Sequence, residues 1–284
     1  MRGLKTGFLL IALTLLLVVG GEAISGQNGM LLGFAIAFVM NISAYFFSDK
    51  IALKSSHAQP VTREQAPQLY AVMERLCAKG NLPMPKLYLI PEEAPNAFAT
   101  GRNPKHASVA ATVGLLKLMN DDELEGVIAH ELSHVRNYDI LITSVAAMLA
   151  GAITILAHMA RWGMIFTGYG GRNDRGRGNP IAMLIMILVA PIAALMLQLG
   201  LSRQREYAAD AAGVKLVGHQ YGLISALQKL GEYNKHIPMN VPPTTASLFI
   251  VAPLSARAVF SAMFSTHPPL SERIAILQNM SIGR

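Results

Sequence analysis

Hydrophobic positions along this chain are gathered into long runs. Phe8 to Val19 is broken only by Thr14, and Met30 to Phe47 is nearly continuous, with Asn41 and Ser43 inside it. Two further runs lie at 140–160 and 181–201. A helix rises about 1.5 Å per residue, so about 20 apolar residues cross a hydrocarbon layer of about 30 Å. With their flanks, the first two runs meet this length and predict an uncleaved hairpin of two spans within residues 1–55. A cleaved signal peptide is the alternative, with Arg2 and Lys5 ahead of the apolar run and Ala23-Ile24-Ser25 as a cleavage site. Against it, Met30 opens a second run almost at once and Glu22 crowds the site. Basic residues set the orientation: Arg2 and Lys5 precede the hairpin, Lys50, Lys54 and Arg63 follow it, and the connector Gly20 to Gly29 carries only Glu22. Both ends are therefore expected in the cytoplasm.

The later runs form a second hydrophobic helix pair, expected to span. Arg161, Arg172, Arg175 and Arg177 lie between them, however, against the positive-inside tendency. A re-entrant hairpin and a pair of packed core helices are the alternatives. Pro191 kinks or breaks the fourth run, and the Gly-rich stretch 167–180 reads as a flexible loop.

Between the pairs the pattern is mixed. Val61 to Ala78 reads as a helix capped by Thr62, with Leu69, Val72, Met73 and Leu76 on one face. Asn81 to Pro85 ends it. Short strands are predicted over Lys86–Ile90, Asn96–Thr100 and Ala107–Val113. Asp121 to Tyr138 reads as a helix with an acidic first turn. From about 202 onward the chain is helical, with Pro-rich breaks at 238–243 and 267–269.

Composition changes the picture little. The 284 residues are 52% hydrophobic and 14% charged, against about 25% charged in an ordinary soluble domain. That balance excludes a disordered chain. Cys77 is the only cysteine, which excludes a disulfide scaffold. The net charge of +7 is scattered and carries no nucleic-acid motif, so no nucleic-acid partner is expected.

The chemistry gathers at His130-Glu131-Leu132-Ser133-His134. Histidines four apart on a helix project from one face and reach a single metal ion, while Glu131 reaches a water bound to it. A catalytic zinc takes three protein ligands and keeps a fourth position for water. Glu206 is one candidate for the third, with Asp210 one turn on to accept a ring N–H from a ligand histidine; a solvated helix face fits the same spacing. His158 lies in an apolar run, and His57, His106, His219 and His236 lie in polar surroundings. His267 stands before Pro268-Pro269. In this chemistry zinc-bound water attacks the peptide carbonyl with Glu131 as general base. Arg273 and His267 are candidates to stabilise the oxyanion.

The hydrophobic hairpin, His-Glu-Leu-Ser-His, Arg-Glu-Tyr-Ala-Ala-Asp and Thr-His-Pro-Pro-Leu-Ser-Glu-Arg, with Asn96-Ala-Phe-Ala-Thr-Gly101 ahead of the zinc helix, resemble the HtpX membrane metalloproteases, relatives of the CAAX prenyl endopeptidases. The resemblance covers most of the chain. It implies a mainly α membrane protein: a transmembrane hairpin over 1–55, then a zincin-like protease domain over 56–284 with a small β-sheet, interrupted by the helices 140–160 and 181–201. One Zn2+ per chain is implied on His130, His134 and Glu206, with Glu131 catalytic and Asp210 supporting. His267 and Arg273 match residues near the substrate and the transition-state oxygen. Asn96, Ala97, Phe98 and Ala99 match an edge strand that holds an extended peptide, a mode indifferent to side chains.

The implied role is quality control of misfolded or damaged membrane proteins, from a multi-pass position in the bacterial inner membrane with the site facing the cytoplasm. The Arg- and Gly-rich loop at 170–178 is the departure, and it puts the crossing of the later runs in doubt. Other readings are a maturation protease with one prenylated or tail-specific substrate, a non-catalytic scaffold, and a small transporter. The intact Glu131 argues against the scaffold, and the lack of paired hydrophobic repeats against the transporter.

Overall fold

A computed structural model describes residues 2–146, 203–236, 248–250 and 268–281. The expected runs at 140–160 and 181–201, the loop at 170–178, His158 and His267 therefore lie outside the described residues, apart from 140–146.

The chain divides into two compact units, one containing residues 1–47 and the other residues 48–144 and 201–284. Helical backbone α1 runs over Arg2–Ser55. At Gly26 the φ angle is +58°, a conformation that glycine adopts without a steric penalty, and the chain turns there. The arms on either side lie together. Asn41 Nδ2 donates across them to the Leu10 carbonyl at 3.3 Å and to Thr14 Oγ1 at 2.9 Å, so both polar interruptions of the apolar runs find partners. Gly26–Ser55 is long and apolar enough to cross a membrane by length and composition, whereas the apolar part of the first arm is shorter, Thr6–Val19. Phe8, Leu15, Leu31 and Phe38 are each more than half exposed. A continuous apolar surface of this kind marks a membrane or partner face.

The second unit holds a four-stranded sheet with strands β1 Gln59–Pro60, β2 Lys86–Ile90, β3 Ala97–Gly101 and β4 Ala107–Thr112. Their order is β1-β2-β4-β3; β2 and β4 are parallel and the outer pairs antiparallel. Strand β3 is thus an edge strand. Helix α2 is Pro67–Gly80, starting six residues later than the sequence pattern predicts. Thr62 instead closes a turn, its carbonyl accepting from Gln65 and Ala66 N–H, and Pro67 opens the helix, where its missing N–H costs nothing. Asn81 ends α2 in the left-handed conformation. Helix α3, Val113–Leu118, was not predicted: Thr112 leaves the strand and caps it, its Oγ1 accepting from Leu115 N–H.

Helix α4, Asp121–Arg136, is buried from Glu123 to Ser133 and forms the centre of this unit. It touches α2, β3, α5 (Arg203–Val217) and α6 (Tyr221–His236). Its start is a reciprocal cap: Asn120 Oδ1 accepts from Glu123 N–H at 2.9 Å, and Glu123 Oε2 accepts from Asn120 N–H at 3.0 Å. Ser225 and Lys229 on α6 also donate to Glu123, at 2.6 and 2.7 Å, so the first turn of α4 is tied to its neighbour. Helix α7, Leu270–Gln278, packs on α5 and α6.

Candidate active site

Glycine brings α5 and α4 together at the chemistry. A Cβ at Gly213 would lie 3.0 Å from the His130 backbone nitrogen, so a side chain there would press the helices apart. This close approach places Glu206 and Asp210, both buried, opposite the two histidines.

Three donor atoms converge. His130 Nε2 and His134 Nε2 are 3.2 Å apart, Glu206 Oε2 is 3.6 Å from the first, and Glu206 Oε1 is 3.5 Å from the second. Ligands about 2.0–2.1 Å from a tetrahedral metal stand about 3.3 Å from one another. Two imidazoles and a carboxylate at these separations fit one divalent ion and leave a position open. Of the residues expected around it, His130, His134, Glu206, Asp210 and Arg273 meet in one cluster. Glu131 faces the same histidines, and Ala99 on β3 lies against its carboxyl. His267 is outside the described residues.

The electrostatics follow from burial. His130 is fully buried, which pushes its ring pKa down. Asp210, accepting at 2.8 Å from Nδ1, and Glu206 outweigh this and hold the metal-free ring at about 9. Burial raises the Glu131 carboxyl above its ordinary range, opposed by the two histidines and by a hydrogen bond from the Ala99 N–H. Burial also opposes ionisation of Asp210, but Arg273 and His130 overcome it and hold that carboxyl low.

Arg273 has no exposed surface. Its Nε and Nη2 donate to the two Asp210 oxygens at 2.9 and 2.7 Å, and its Nη1 to the Ile250 carbonyl at 3.1 Å. Nη2 also lies 3.4 Å from His130 Nδ1. The guanidinium is thus engaged behind the histidine.

On β3, the Asn96 carbonyl accepts from Thr112 N–H, and Phe98 pairs with Ala110 two residues on. Antiparallel ladders alternate, so Ala97 and Ala99 turn their N–H and C=O groups away from β4. The Ala97 carbonyl accepts from Ile250 N–H at 3.0 Å, and Phe249 meets Phe98 edge to face at 5.0 Å. Segment 248–250 thus covers this part of the edge. Asn96 Oδ1 accepts from Ala97 N–H.

Sequence reasoning did not select Asp139, Arg205 or Ile250. Asp139 Oδ2 lies 3.4 Å from His134 Nδ1, and Arg205 Nη1 lies 4.0 Å from Asp139 Oδ1. Each residue sits beside a selected motif, but neither shares its helical spacing. Ile250 bears no chemistry in its side chain, so its backbone role leaves no sequence signal.

Residues 63–281 match the model of peptidase family M48. The chain is 49% identical over 278 residues to the protease HtpX homolog of Desulforapulum autotrophicum, covering 98% of this chain and 90% of that protein. It is 48% identical over 284 residues to the protease HtpX homolog of Pelotomaculum thermopropionicum, covering 99% and 100%. Among solved structures, that of S. mikatae Ste24p is similar in fold, with a TM-score of 0.55 at 22% identity. The similarity covers 97% of this chain and 64% of that one, so the chain spans under two thirds of that protein's length. The chain belongs to peptidase family M48 and is a membrane metallopeptidase, a hydrolase acting on peptide bonds.

Proposed function

We propose that this protein is a zinc-dependent endopeptidase that removes misfolded or damaged membrane proteins. Residues 1–55 act as its transmembrane hairpin, residues 56–284 as the protease, and the site opens to the cytoplasm of a bacterial inner membrane. The convergence of two imidazole nitrogens and a helix-borne carboxylate beside a buried glutamate carries the enzymatic part of this reading. The exposed apolar surface of α1, with basic residues at both ends and one acid in its connector, supports the membrane part.

His130, His134 and Glu206 hold one Zn2+; the imidazole and carboxylate set suits zinc and other divalent metals alike. When bound, the ion supplies Lewis acidity to water and to the peptide carbonyl. Glu131 takes the proton of the attacking water and delivers it to the leaving amine nitrogen. Its raised carboxyl pKa brings it nearer the working pH, where a general base is most effective. Asp210 accepts the His130 Nδ1 hydrogen and fixes the tautomer that leaves Nε2 free for the metal. Arg273 acts through Asp210 and is a positioning residue, while His267 stands near the transition-state oxygen. Residues Asn96 to Ala99 line the peptide, and the Ala99 N–H orients Glu131.

The test is Glu131→Gln in detergent, assayed for metal content and for cleavage of casein or a membrane substrate. Zinc at the wild-type level with cleavage reduced at least about 10²-fold is expected. Cleavage at the wild-type rate would overturn the assignment of the base.

A further inference from the structure

The two histidines are backed by similar sets of side chains. Behind His130 stands Asp210 at 2.8 Å, and behind Asp210 stands the Arg273 fork. Behind His134 stands Asp139 at 3.4 Å, and Arg205 Nη1 is 4.0 Å from the other Asp139 oxygen. The second set is looser. Nε, Nη1 and Nη2 of Arg205 are all buried and make no hydrogen bond. Burying a guanidinium is costly unless negative charge faces it. Burial does lower the Arg205 pKa, opposed by the charges of Asp139 and Glu206.

The local backbone explains how Asp139 reaches its place. On an unbroken helix a residue five positions past His134 lies about 140° around the axis from it. Helix α4 ends at Arg136, however, and Tyr138 takes φ +61° before helical backbone resumes over 139–146. A left-handed conformation in a residue other than glycine costs about 1–2 kcal/mol. The chain accepts that cost at the one position that turns the Asp139 carboxylate back onto His134.

We propose that Asp139, held by Arg205, is the positioning residue for His134. It accepts the Nδ1 hydrogen and so directs Nε2 toward the metal. The proposal rests on reading His130, His134 and Glu206 as the metal ligands.

The experiment uses the full chain in detergent, with zinc alone as probe, a chromophoric chelator as competitor, and the cobalt-loaded absorption spectrum as a second readout. Asp139→Ala should weaken zinc binding about 10- to 100-fold, the usual effect of losing a carboxylate behind a ligand histidine, and should shift the cobalt bands. The melting temperature of the metal-free protein should stay unchanged. Asp139→Asn keeps an oxygen acceptor in the same place and should recover part of the loss; being isosteric, it also carries the test if the alanine variant fails to fold. There it should bind zinc several-fold more weakly than wild type, with normal metal-free melting. Arg205→Gln should weaken binding less and add nothing in the Asp139→Ala background. Zinc affinity within twofold of wild type in Asp139→Ala, no recovery by asparagine, or additive effects in the double variant would overturn the proposal. Failure of the wild type to bind one zinc would instead overturn the ligand assignment beneath it.

Discussion

Arg273 forks onto Asp210, with its Nε 2.9 Å from Oδ2, its Nη2 2.7 Å from Oδ1, and both side chains buried. Two parallel charge-assisted hydrogen bonds fix orientation as well as charge. The pair joins α7 to α5, more than sixty residues earlier, at the point where Asp210 receives the His130 N–H. Removing the arginine leaves a buried carboxylate without its cation, a loss of about 3–5 kcal/mol. Arg273→Ala should therefore lower the thermal midpoint and weaken metal binding. Arg273→Lys keeps the charge but loses the fork, and should fall between. Fluorescence-monitored melting with metal titration checks both, and an alanine variant as stable as wild type would rule out this tie.

Gly213 makes a second, independent prediction. The 3.0 Å clearance between its absent Cβ and the His130 nitrogen leaves no room for a methyl group without parting α4 from α5. Gly213→Ala should cost about 1–3 kcal/mol, the usual range for overpacking. It should also move Glu206 and Asp210 outward together. Metal affinity should then fall although no ligand has been altered, as measured by chelator competition.

These two cases mark what the sequence made legible. His130, Glu131 and His134 could be read because a helix imposes a fixed spacing on a metal-binding face. Glu206 and Asp210 obey the same rule, but pairing them with the histidines needed the resemblance, because which helices meet depends on tertiary packing. Strand β2 was read at its observed bounds from its apolar run. The start of α2 was misplaced because Thr62 resembles a cap and the turn through Pro67 competes with it. Asp139 escaped because its approach depends on one left-handed residue, Tyr138, and no periodicity encodes that.

Metal removal should act on stability as well as activity. A ligand that binds only the folded state stabilises it by about 2.7 kcal/mol at a free concentration one hundred times its Kd. Chelation should lower the melting temperature of the wild type and restore it on adding zinc back. In Glu206→Ala the shift should shrink or vanish. A full shift in that variant would place the third ligand elsewhere.

Glu123 predicts how stability responds to pH. Burial opposes ionisation of this carboxyl, but the hydrogen bonds from Lys229, Ser225 and Asn120 outweigh it and lower its pKa. A carboxyl lowered on folding contributes stability that is fully present above the unfolded value, about 4.3 for glutamate. That contribution is lost as pH falls from there through the lower folded value. Glu123→Gln should cost about 2 kcal/mol at neutral pH, as loss of hydrogen bonds to a charged group does. It should also flatten this part of the acid limb. Urea unfolding of both proteins between pH 3 and 7 (roughly the window set by the ordinary glutamate value) measures the difference, and parallel acid limbs would remove Glu123 from the account.

The arms of α1 make a prediction about sidedness. If both cross the membrane, Gln27, exposed beyond the turn at Gly26, lies outside, and Lys50 lies on the cytoplasmic side. Cys77 gives little background in a thiol-labelling assay. It is buried, and burial together with the nearby Glu74 charge pushes its thiol up to about 11, so little reactive thiolate forms near neutral pH. Single cysteines can then be introduced into the otherwise unchanged chain. In intact spheroplasts an impermeant maleimide should label Gln27→Cys and spare Lys50→Cys; after lysis both should react. Labelling of neither in spheroplasts would place the turn within the cell or the bilayer, and the first arm, whose apolar stretch is the shorter Thr6–Val19, would not be a complete span. Labelling of Lys50→Cys alone would invert the orientation and put the protease on the outer face.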